Sequence, residues 1–168
     1  SHSINFLEVH DDYCFSDFLR LSSGENKKND IILNKTKHIS LSPKLKKMNK
    51  LGAFILFMSK GVPLIHQGQE WGHSQIIQQT NIVDLNVHKM DPNPYNKDNE
   101  TNWVNWDELK QNEDLVEFYK ELIKTRKENI SRKKMIYEKV EFFDFENKFC
   151  LGFRVDEERI AFINGDNT

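Results

Sequence analysis

Apolar and polar positions in the first half of the chain predict a strand, a helix and a second strand. Residues 4–9 are β-branched, aromatic or aliphatic enough to form a mostly buried strand, which ends in His10, Asp11 and Asp12. Carboxylates are costly at the end of a buried segment unless they bind a ligand or stay in water. Residues 22–40 are polar and are typical of an exposed excursion.

A strong helix pattern follows this polar segment. Ser42 is a suitable N-cap and Pro43 a suitable first residue, while Gly61 is typical of a helix end. Between them, apolar residues recur at steps of three or four: Leu45, Met48, Leu51, Ile55 and Met58. The pattern predicts an amphipathic helix over residues 43–60.

Residues 62–65 predict a short buried strand that ends in the polar sequence HQGQEWG. The order strand, acidic loop, helix and strand indicates a βαβ unit with ligand-type residues after both strands. In parallel α/β folds, binding and catalytic sites lie at the carboxyl ends of the strands. His10 and Asp11 therefore lie where such a fold has its binding and catalytic residues.

The second half of the chain predicts a long loop, a helix and several short strands. Residues 72–107 contain prolines and many asparagines and aspartates, and a loop of this length is usually functional or disordered. An amphipathic helix follows, with these residues on one face: Leu115, Phe118, Tyr119, Leu122 and Ile123. From Val140 apolar residues alternate as in a meander of strands, so we place a domain boundary near residues 132–138.

Composition and charge argue against two classes of partner. The formal net charge of -2 argues against a nucleic-acid-binding protein, which usually carries a clear basic excess. The longest strictly apolar run, residues 53–58, is far shorter than the roughly 20 residues of a membrane span. Cys14 and Cys150 lie far apart and match no metal or redox spacing. The chain begins and ends within β-like patterns, which we interpret as a fragment of a longer protein.

Two groups of polar residues are candidates for chemistry. The first, residues 10–12, has an alternative interpretation as a polar strand end or helix cap. The second group is His66, Glu70 and His73, whose spacing suggests a metal site. This spacing matches no standard zinc pattern, and the intervening glycines indicate a loop, so we predict no metal site there.

Aromatic and amide side chains alternate in residues 93–108, which include Tyr95, Trp103 and Trp106. Flat aromatic faces with amide donors and acceptors suit sugars, whose rings have apolar faces and hydroxyl rims. The alternative is an ordinary loop with its aromatic residues folded under it. The acidic residues here are typical of a helix start: Glu100, Asp107 and Glu108.

Three segments together carry a resemblance to a known family. INFLEVHDDYCFSDFLRL, then GVPLIHQGQEW, then NPYNKDNETNWVNWDE resemble, in this order, motifs of the α-amylase superfamily of glycoside hydrolases. They are most similar to its pullulanase and glycogen-debranching branch. The resemblance spans residues 4 to about 128.

The resemblance implies an α/β fold, the C-terminal part of a (β/α)8 TIM barrel followed by the start of an all-β sandwich. Residues 4–9 would be strand seven, 43–60 helix seven and 62–65 strand eight, with the last barrel helix near 113–129. We therefore assign residues 1–134 to the last two βα units of the barrel, with an active-site loop at 72–107. Residues 135–168 would begin the sandwich.

The resemblance also implies roles for individual residues. Asp11 matches the acid that stabilises the transition state, and His10 its neighbour that hydrogen-bonds sugar hydroxyls. Three loop residues match positions that face the substrate in pullulanase-like relatives: Tyr95, Asn96 and Asn102. We expect Glu70 to support the barrel mouth. The implied partner is an α-glucan polysaccharide or oligosaccharide.

The nucleophilic aspartate and the acid/base glutamate of the family belong to earlier strands, which this chain does not contain. The remainder of the barrel would therefore be a necessary partner, and the isolated chain would be inactive. We predict no cofactor: calcium is common in the superfamily, but no ligand cluster is recognisable here.

Departures from the family pattern leave the exact reaction open. Many relatives have a basic step after GQEW, where this chain has GHSQ and then an insertion through residue 91. The linkage preference is therefore not predicted. One alternative is a glucan chain transferase of the same superfamily. Another is a non-catalytic carbohydrate-binding module that uses Trp103, Trp106 and Tyr95, and a third is a plain structural protein.

Overall fold

A computed structural model of the chain describes residues 3–129, 140–154 and 160–165. Within these ranges the chain forms short strands and α-helices. In chain order they are β1 (Ile4–Asn5), α1 (Phe15–Ser23), α2 (Lys35–Ile39), α3 (Pro43–Met58), β2 (Val62–Pro63), α4 (Glu113–Asn129), β3 (Phe142–Phe143), β4 (Cys150–Arg154) and β5 (Ile160–Asn164). The 3₁₀-helices Gln69–Trp71 and Trp106–Asn112 lie between β2 and α4.

β1 and β2 pair in parallel, as the βαβ pattern predicts. Ile4 lies opposite Val62, and Asn5 lies opposite Pro63. The Leu64 N–H donates to the Asn5 carbonyl at 2.8 Å. Parallel pairing brings the carboxyl ends of both strands to the same edge of the sheet.

Both strands are shorter and more exposed than predicted. The pairing covers only β1 and β2, and Ile4 and Phe6 are 63% and 52% exposed. The prediction of buried strands over residues 4–9 and 62–65 is therefore wrong. The physical reason is that, in the described part of the chain, these strands pair only with each other. Side chains that face away from the helices consequently have no second layer to cover them.

α3 begins as predicted but ends differently. The Ser42 hydroxyl accepts a hydrogen bond from the Leu45 N–H at 3.2 Å, and Pro43 is the first helical residue. The helix ends at Met58, and the extended residue Ser59 is its C-cap, so Gly61 is not. Gly61 instead has a φ of 105°, and a Cβ there would clash with the backbone of Ser3.

Two helices lie in segments that were predicted to be loop. α1 follows the His-Asp-Asp sequence directly and ends at Gly24, whose φ of 78° makes it a left-handed C-cap. α2 lies within the polar segment, and Ile32 and Ile39 of that segment are buried. Most residues of the segment 22–40 are exposed, as predicted, and the prediction is wrong only in that α2 forms there and Ile32 and Ile39 are buried.

The helices α1, α3 and α4 pack around one apolar core, and α4 has the predicted bounds. α1 approaches α3 closely at Gly52, where an added Cβ would lie 2.6 Å from the Phe15 ring. Phe57 of α3 meets Tyr119 of α4 edge to face, with ring centroids 6.0 Å apart. The buried residues of this core include Leu19, Leu41, Leu45, Ala53, Met58, Leu115 and Leu122.

β3, β4 and β5 form the predicted antiparallel meander, in the order β3-β4-β5. Phe153, Ala161 and Ile163 of this sheet are buried in the same core as the helices. The predicted domain boundary at residues 132–138 lies outside the described residues. Within the described ranges, none of the helices combines the length and apolar character that crossing a membrane requires.

Candidate active site

A buried carboxylate, Glu8, lies just beyond the carboxyl ends of β1 and β2, with only 3% of its surface exposed. His73 Nε2 donates to Glu8 Oε1 at 2.9 Å, and His66 Nδ1 lies 3.2 Å from the same oxygen. The other oxygen, Oε2, accepts a hydrogen bond from the N–H of Phe15, the first residue of α1. One side chain therefore links the two strand ends, α1 and the segment after the Gln69–Trp71 turn.

The charges in this cluster stabilise one another. Burial raises the pKa of Glu8, but the charge of His73 and hydrogen bonds from His66, His73 and the Phe15 N–H outweigh burial and lower this pKa to about 2. Burial lowers the pKa of His73, but the Glu8 charge and hydrogen bond, with Asp17 and Glu108, raise it above its ordinary value. Both shifts favour the charged forms, a Glu8 carboxylate and a His73 imidazolium.

His10 and Asp11 lie in the turn between β1 and α1, and both side chains are exposed. His10 Nε2 is 3.5 Å from Asp11 Oδ2. The following residue, Asp12, has a φ of 64°, and its Oδ1 accepts from the Tyr13 N–H at 2.8 Å. A left-handed backbone and a local hydrogen bond to the side chain are typical of a tight turn. The turn leaves His10 and Asp11 accessible to a ligand, and their roles stay predictions.

A second buried carboxylate, Asp17 of α1, joins α1 to the segment that follows His73. Its oxygens accept hydrogen bonds from the Ser74 hydroxyl at 2.7 Å and the Gln75 N–H at 3.0 Å. Arg20 donates to it at 3.1 Å, and Cys14 Sγ at 3.2 Å. Burial raises the pKa of Asp17, but hydrogen bonds from His38 and Ser74 and the Arg20 charge lower it to about 2. Asp17 therefore stays ionised and fixes α1 beside the candidate site.

His66, Glu70 and His73, which their sequence spacing grouped together, do not form one cluster. His66 and His73 meet, with ring centroids 5.5 Å apart, but their shared acid is Glu8. Glu70 instead accepts a hydrogen bond from the Gly68 N–H at 2.9 Å.

Donor atoms of Glu8, Cys14 and His73 lie within 4.8 Å of one another. The Glu8 oxygens already accept from His73 and Phe15, and the Cys14 thiol donates to Asp17. We therefore assign these three residues to a hydrogen-bonded cluster. A nitrogen, a sulfur and a carboxylate oxygen also differ from the all-oxygen set that calcium prefers.

The long loop at 72–107 is folded by its own polar side chains. Asn102 uses both amide hydrogens to donate to the carbonyls of Pro94 and Lys97, and its Oδ1 accepts from Gln75 at 3.0 Å. Asn102 therefore fixes the loop, and its remaining acceptor capacity is on Oδ1. Tyr95 and Asn96 are exposed. Contact of these three residues with a substrate stays a prediction.

A groove of about 700 Å³ lies along the end of this loop. Trp103 and Trp106, which are 58% and 61% exposed, form part of its wall. The Trp106 ring packs against buried Trp71, with centroids 5.4 Å apart. Polar residues complete the lining: Lys35, Gln78, Glu100, Asn105, Asp107 and Glu108. Asp107 and Glu108 also lie in the first turn of a 3₁₀-helix, as predicted for a helix start.

Sequence reasoning missed Glu8 and Asp17 as site residues. Glu8 interrupts an apolar run, which is the available signal that this carboxylate is buried and paired. Asp17 lies between Phe15 and Leu19, in the apolar pattern of an amphipathic helix that the sequence analysis did not recognise.

Comparison of folds finds a neighbour among solved structures, and no protein-family model matches the chain. The neighbour is the product complex of a multi-modular glycogen-degrading pneumococcal virulence factor, SpuA. It superposes with a TM-score of 0.55 and 15% sequence identity, over 89% of this chain and 18% of the neighbour. The fold is therefore similar to part of a larger protein.

Sequence comparison finds plant isoamylases. The chloroplastic isoamylase SU1 of Zea mays is 29% identical over 143 residues, which cover 76% of this chain and 16% of that protein. Isoamylase 1 of Arabidopsis thaliana is 27% identical over 143 residues, covering 76% of this chain and 17% of that protein. The chain thus spans about one sixth of the length of these relatives. With the structural neighbour, they support a relationship to debranching-type enzymes of the α-amylase family.

Proposed function

We propose that this chain is the C-terminal portion of a retaining glycoside hydrolase that cleaves α-glucans such as starch, glycogen or pullulan. One observation carries the proposal: β1 and β2 are parallel, so the His10–Asp11 turn and the HQGQEWG segment leave the same edge of a sheet. This edge is where parallel α/β folds place their sites. The isoamylase relatives and the glycogen-degrading neighbour support the substrate class.

The chemistry proposed for Asp11 is stabilisation of the transition state. Retaining hydrolysis uses a nucleophilic carboxylate and a carboxylic acid roughly 5 Å apart. A third carboxylate, Asp11, would hold sugar hydroxyls more tightly as the ring flattens and positive charge develops on it. Because this interaction is stronger in the transition state than in the ground state, it raises turnover. His10 would hydrogen-bond a neighbouring hydroxyl and orient the sugar.

The nucleophile and the general acid would come from residues outside this chain, which is consistent with its spanning about one sixth of the isoamylases. We therefore expect the 168-residue chain alone to release no reducing sugar from soluble starch. A longer polypeptide that contains these residues and the remaining strands is expected to release it. A reducing-sugar assay of both proteins measures the difference.

Analysis of products from maltooligosaccharides separates the two reactions of the superfamily. Hydrolysis gives only chains shorter than the substrate, whereas transfer to a sugar acceptor also gives longer chains. Inhibitor-sensitive sugar release by the 168-residue chain itself would contradict the proposal, because a complete pair of carboxylates would then lie within it.

A second candidate function is glucan binding at the groove of Trp103 and Trp106. The supporting observation is that two exposed indole rings share a groove with amide and carboxylate groups. The volume of about 700 Å³ lies within the range of small-ligand sites, roughly 300–1,000 Å³. Indole faces can pack against the apolar faces of sugar rings while the polar rim binds hydroxyls.

We expect the Trp103→Ala, Trp106→Ala double variant to bind maltoheptaose about tenfold more weakly, equal to about 1.4 kcal/mol, because both sugar-packing surfaces are removed. Calorimetric titration of the 168-residue chain measures this loss. Phe149→Ala, which removes an exposed aromatic ring from a loop beside the antiparallel sheet, is the control with unchanged affinity. Affinity that depends on Asp11 and not on the tryptophans would contradict a binding groove.

A further inference from the structure

The turn that holds His10 and Asp11 is closed at its base by a single side chain. Glu8 stands at its beginning and Phe15 at its end, and the Phe15 N–H donates to Glu8 Oε2. Asp11 therefore lies in a loop of backbone whose two ends are held together by this carboxylate. Asp12, within the turn, has a left-handed backbone with a φ of 64°, which aspartate tolerates better than most residues.

The other carboxylate oxygen of Glu8, Oε1, lies within ion-pair distance of two histidines. Among residues 3–129, 140–154 and 160–165, the groups with basic nitrogen atoms within ion-pair distance of Glu8 are His66 and His73. An arginine at such a place would keep its charge at any physiological pH, whereas histidine does not. The charge that faces this buried carboxylate can therefore be lost within the ordinary pH range.

Other titratable groups surround the pair and are part of its electrostatics. They come from the neighbouring turn, α1, the 3₁₀-helices and α4: Cys14, Asp17, Glu70, Glu108 and Tyr119. Asp17 and Glu108 are acidic and favour the charged form of His73. None of them supplies a cation that could replace His73 opposite Glu8.

We propose that Glu8 is a positioning residue for the His10–Asp11 turn, and that its hold on this turn depends on the protonation of His73. Glu8 does not touch a substrate in this assignment. It acts through the Phe15 N–H and the two strand ends. The consequence for catalysis rests on the proposed glucan cleavage, whereas the consequence for the order of the turn does not.

The direction of the pH dependence follows from both partners. The pKa of His73 is raised in the folded chain above its ordinary value of 6.5, so its contribution is complete below that value and is lost as pH rises through the raised one. The pKa of Glu8 is lowered from 4.5 to about 2, so its contribution is complete above 4.5 and is lost only as pH falls towards 2. The turn is therefore held best in mildly acidic solution and loosens on the alkaline side.

Hydrogen–deuterium exchange of the 168-residue chain tests the assignment. After correction for intrinsic rates, the amides of residues 9–14 are expected to exchange about fivefold to tenfold faster at about pH 9 than at about pH 5.5. This increase in exchange rate between the two pH values, called the step below, reflects the difference between a charge-assisted and a neutral hydrogen bond. In Glu8→Gln these amides exchange fast at both pH values. In the His66→Gln, His73→Gln double variant the step disappears, because both histidines near Glu8 are replaced by glutamine, which donates but does not titrate.

Peptides from α3 and α4 report global folding in the same experiment, so an unfolded variant is recognised. His88→Asn is the matched control: it removes a histidine outside the cluster, at a positive φ that asparagine tolerates, and keeps the step. An unchanged step in the His66→Gln, His73→Gln double variant, or exchange at the wild-type rate in a folded Glu8→Gln variant, would overturn the assignment. Either result leaves the proposed glucan cleavage intact, since Asp11→Asn turnover tests that separately.

Discussion

Replacement of Asp11 by asparagine is expected to lower the turnover of the complete enzyme on glycogen or starch by about 10²–10³-fold, the usual loss for a preorganised transition-state partner. Asparagine has nearly the same shape but no charge, so it cannot compensate the positive charge that develops on the sugar. Because Asp11 is exposed and its ion-pair contact is with the equally exposed His10, we expect the fold to persist. Initial rates and circular dichroism of the purified variant measure both effects.

The adjacent carboxylate offers a matched control. Asp12→Asn also removes one negative charge from the turn, and asparagine tolerates its left-handed backbone and still accepts from Tyr13. We expect this variant to keep turnover within about threefold, since no role in the transition state is assigned to Asp12. Near-normal turnover of Asp11→Asn would remove Asp11 from the proposed role.

Removal of the Asp17 carboxylate is expected to cause the largest loss of stability. In Asp17→Ala, Arg20 would remain buried without its counter-charge, and the Ser74 hydroxyl and Gln75 N–H would lose their acceptor. Breaking a buried pair in this way typically costs about 3–5 kcal/mol. Urea denaturation of the 168-residue chain measures the free energy of unfolding.

Asp114→Ala is the control for this variant. Asp114 also pairs with two cations, Lys46 and Lys50, but its side chain is 48% exposed, so the expected loss is below about 1 kcal/mol. The pKa of Asp17 is lowered from 3.8 to about 2, so its stabilisation is complete above 3.8 and is lost as pH falls towards 2. Equal losses in both variants would contradict the central role of Asp17.

Local patterns in the sequence were sufficient to predict several helices and strands. α3 and α4 follow from apolar residues at helical steps, and the Ser42–Pro43 start has the predicted cap. The alternation of apolar residues from Val140 onwards predicts the antiparallel meander of β3, β4 and β5. These elements have a strong period or cap of their own, so neighbouring segments were not needed to recognise them.

The parts that sequence reasoning missed depend on distant partners. α1 has an amphipathic pattern that was not recognised, whereas the burial of Asp17 and Arg20 within it depends on distant groups such as the Ser74 hydroxyl and the His38 carbonyl. Glu8 forms its hydrogen bond with His73, which is 65 positions away in the chain. No local period encodes such a pair. Tyr95 and Asn96 were nominated from a motif, and their exposed side chains leave substrate contact as a prediction.

The close approach of α1 and α3 has a consequence for the candidate site. Gly52 admits the Phe15 ring against the α3 backbone, and the same residue, Phe15, supplies the N–H that holds Glu8. A larger side chain at position 52 would push the start of α1 outwards and lengthen this hydrogen bond. The spacing between the two helices on the core side thus sets the distance between the two ends of the His10–Asp11 turn.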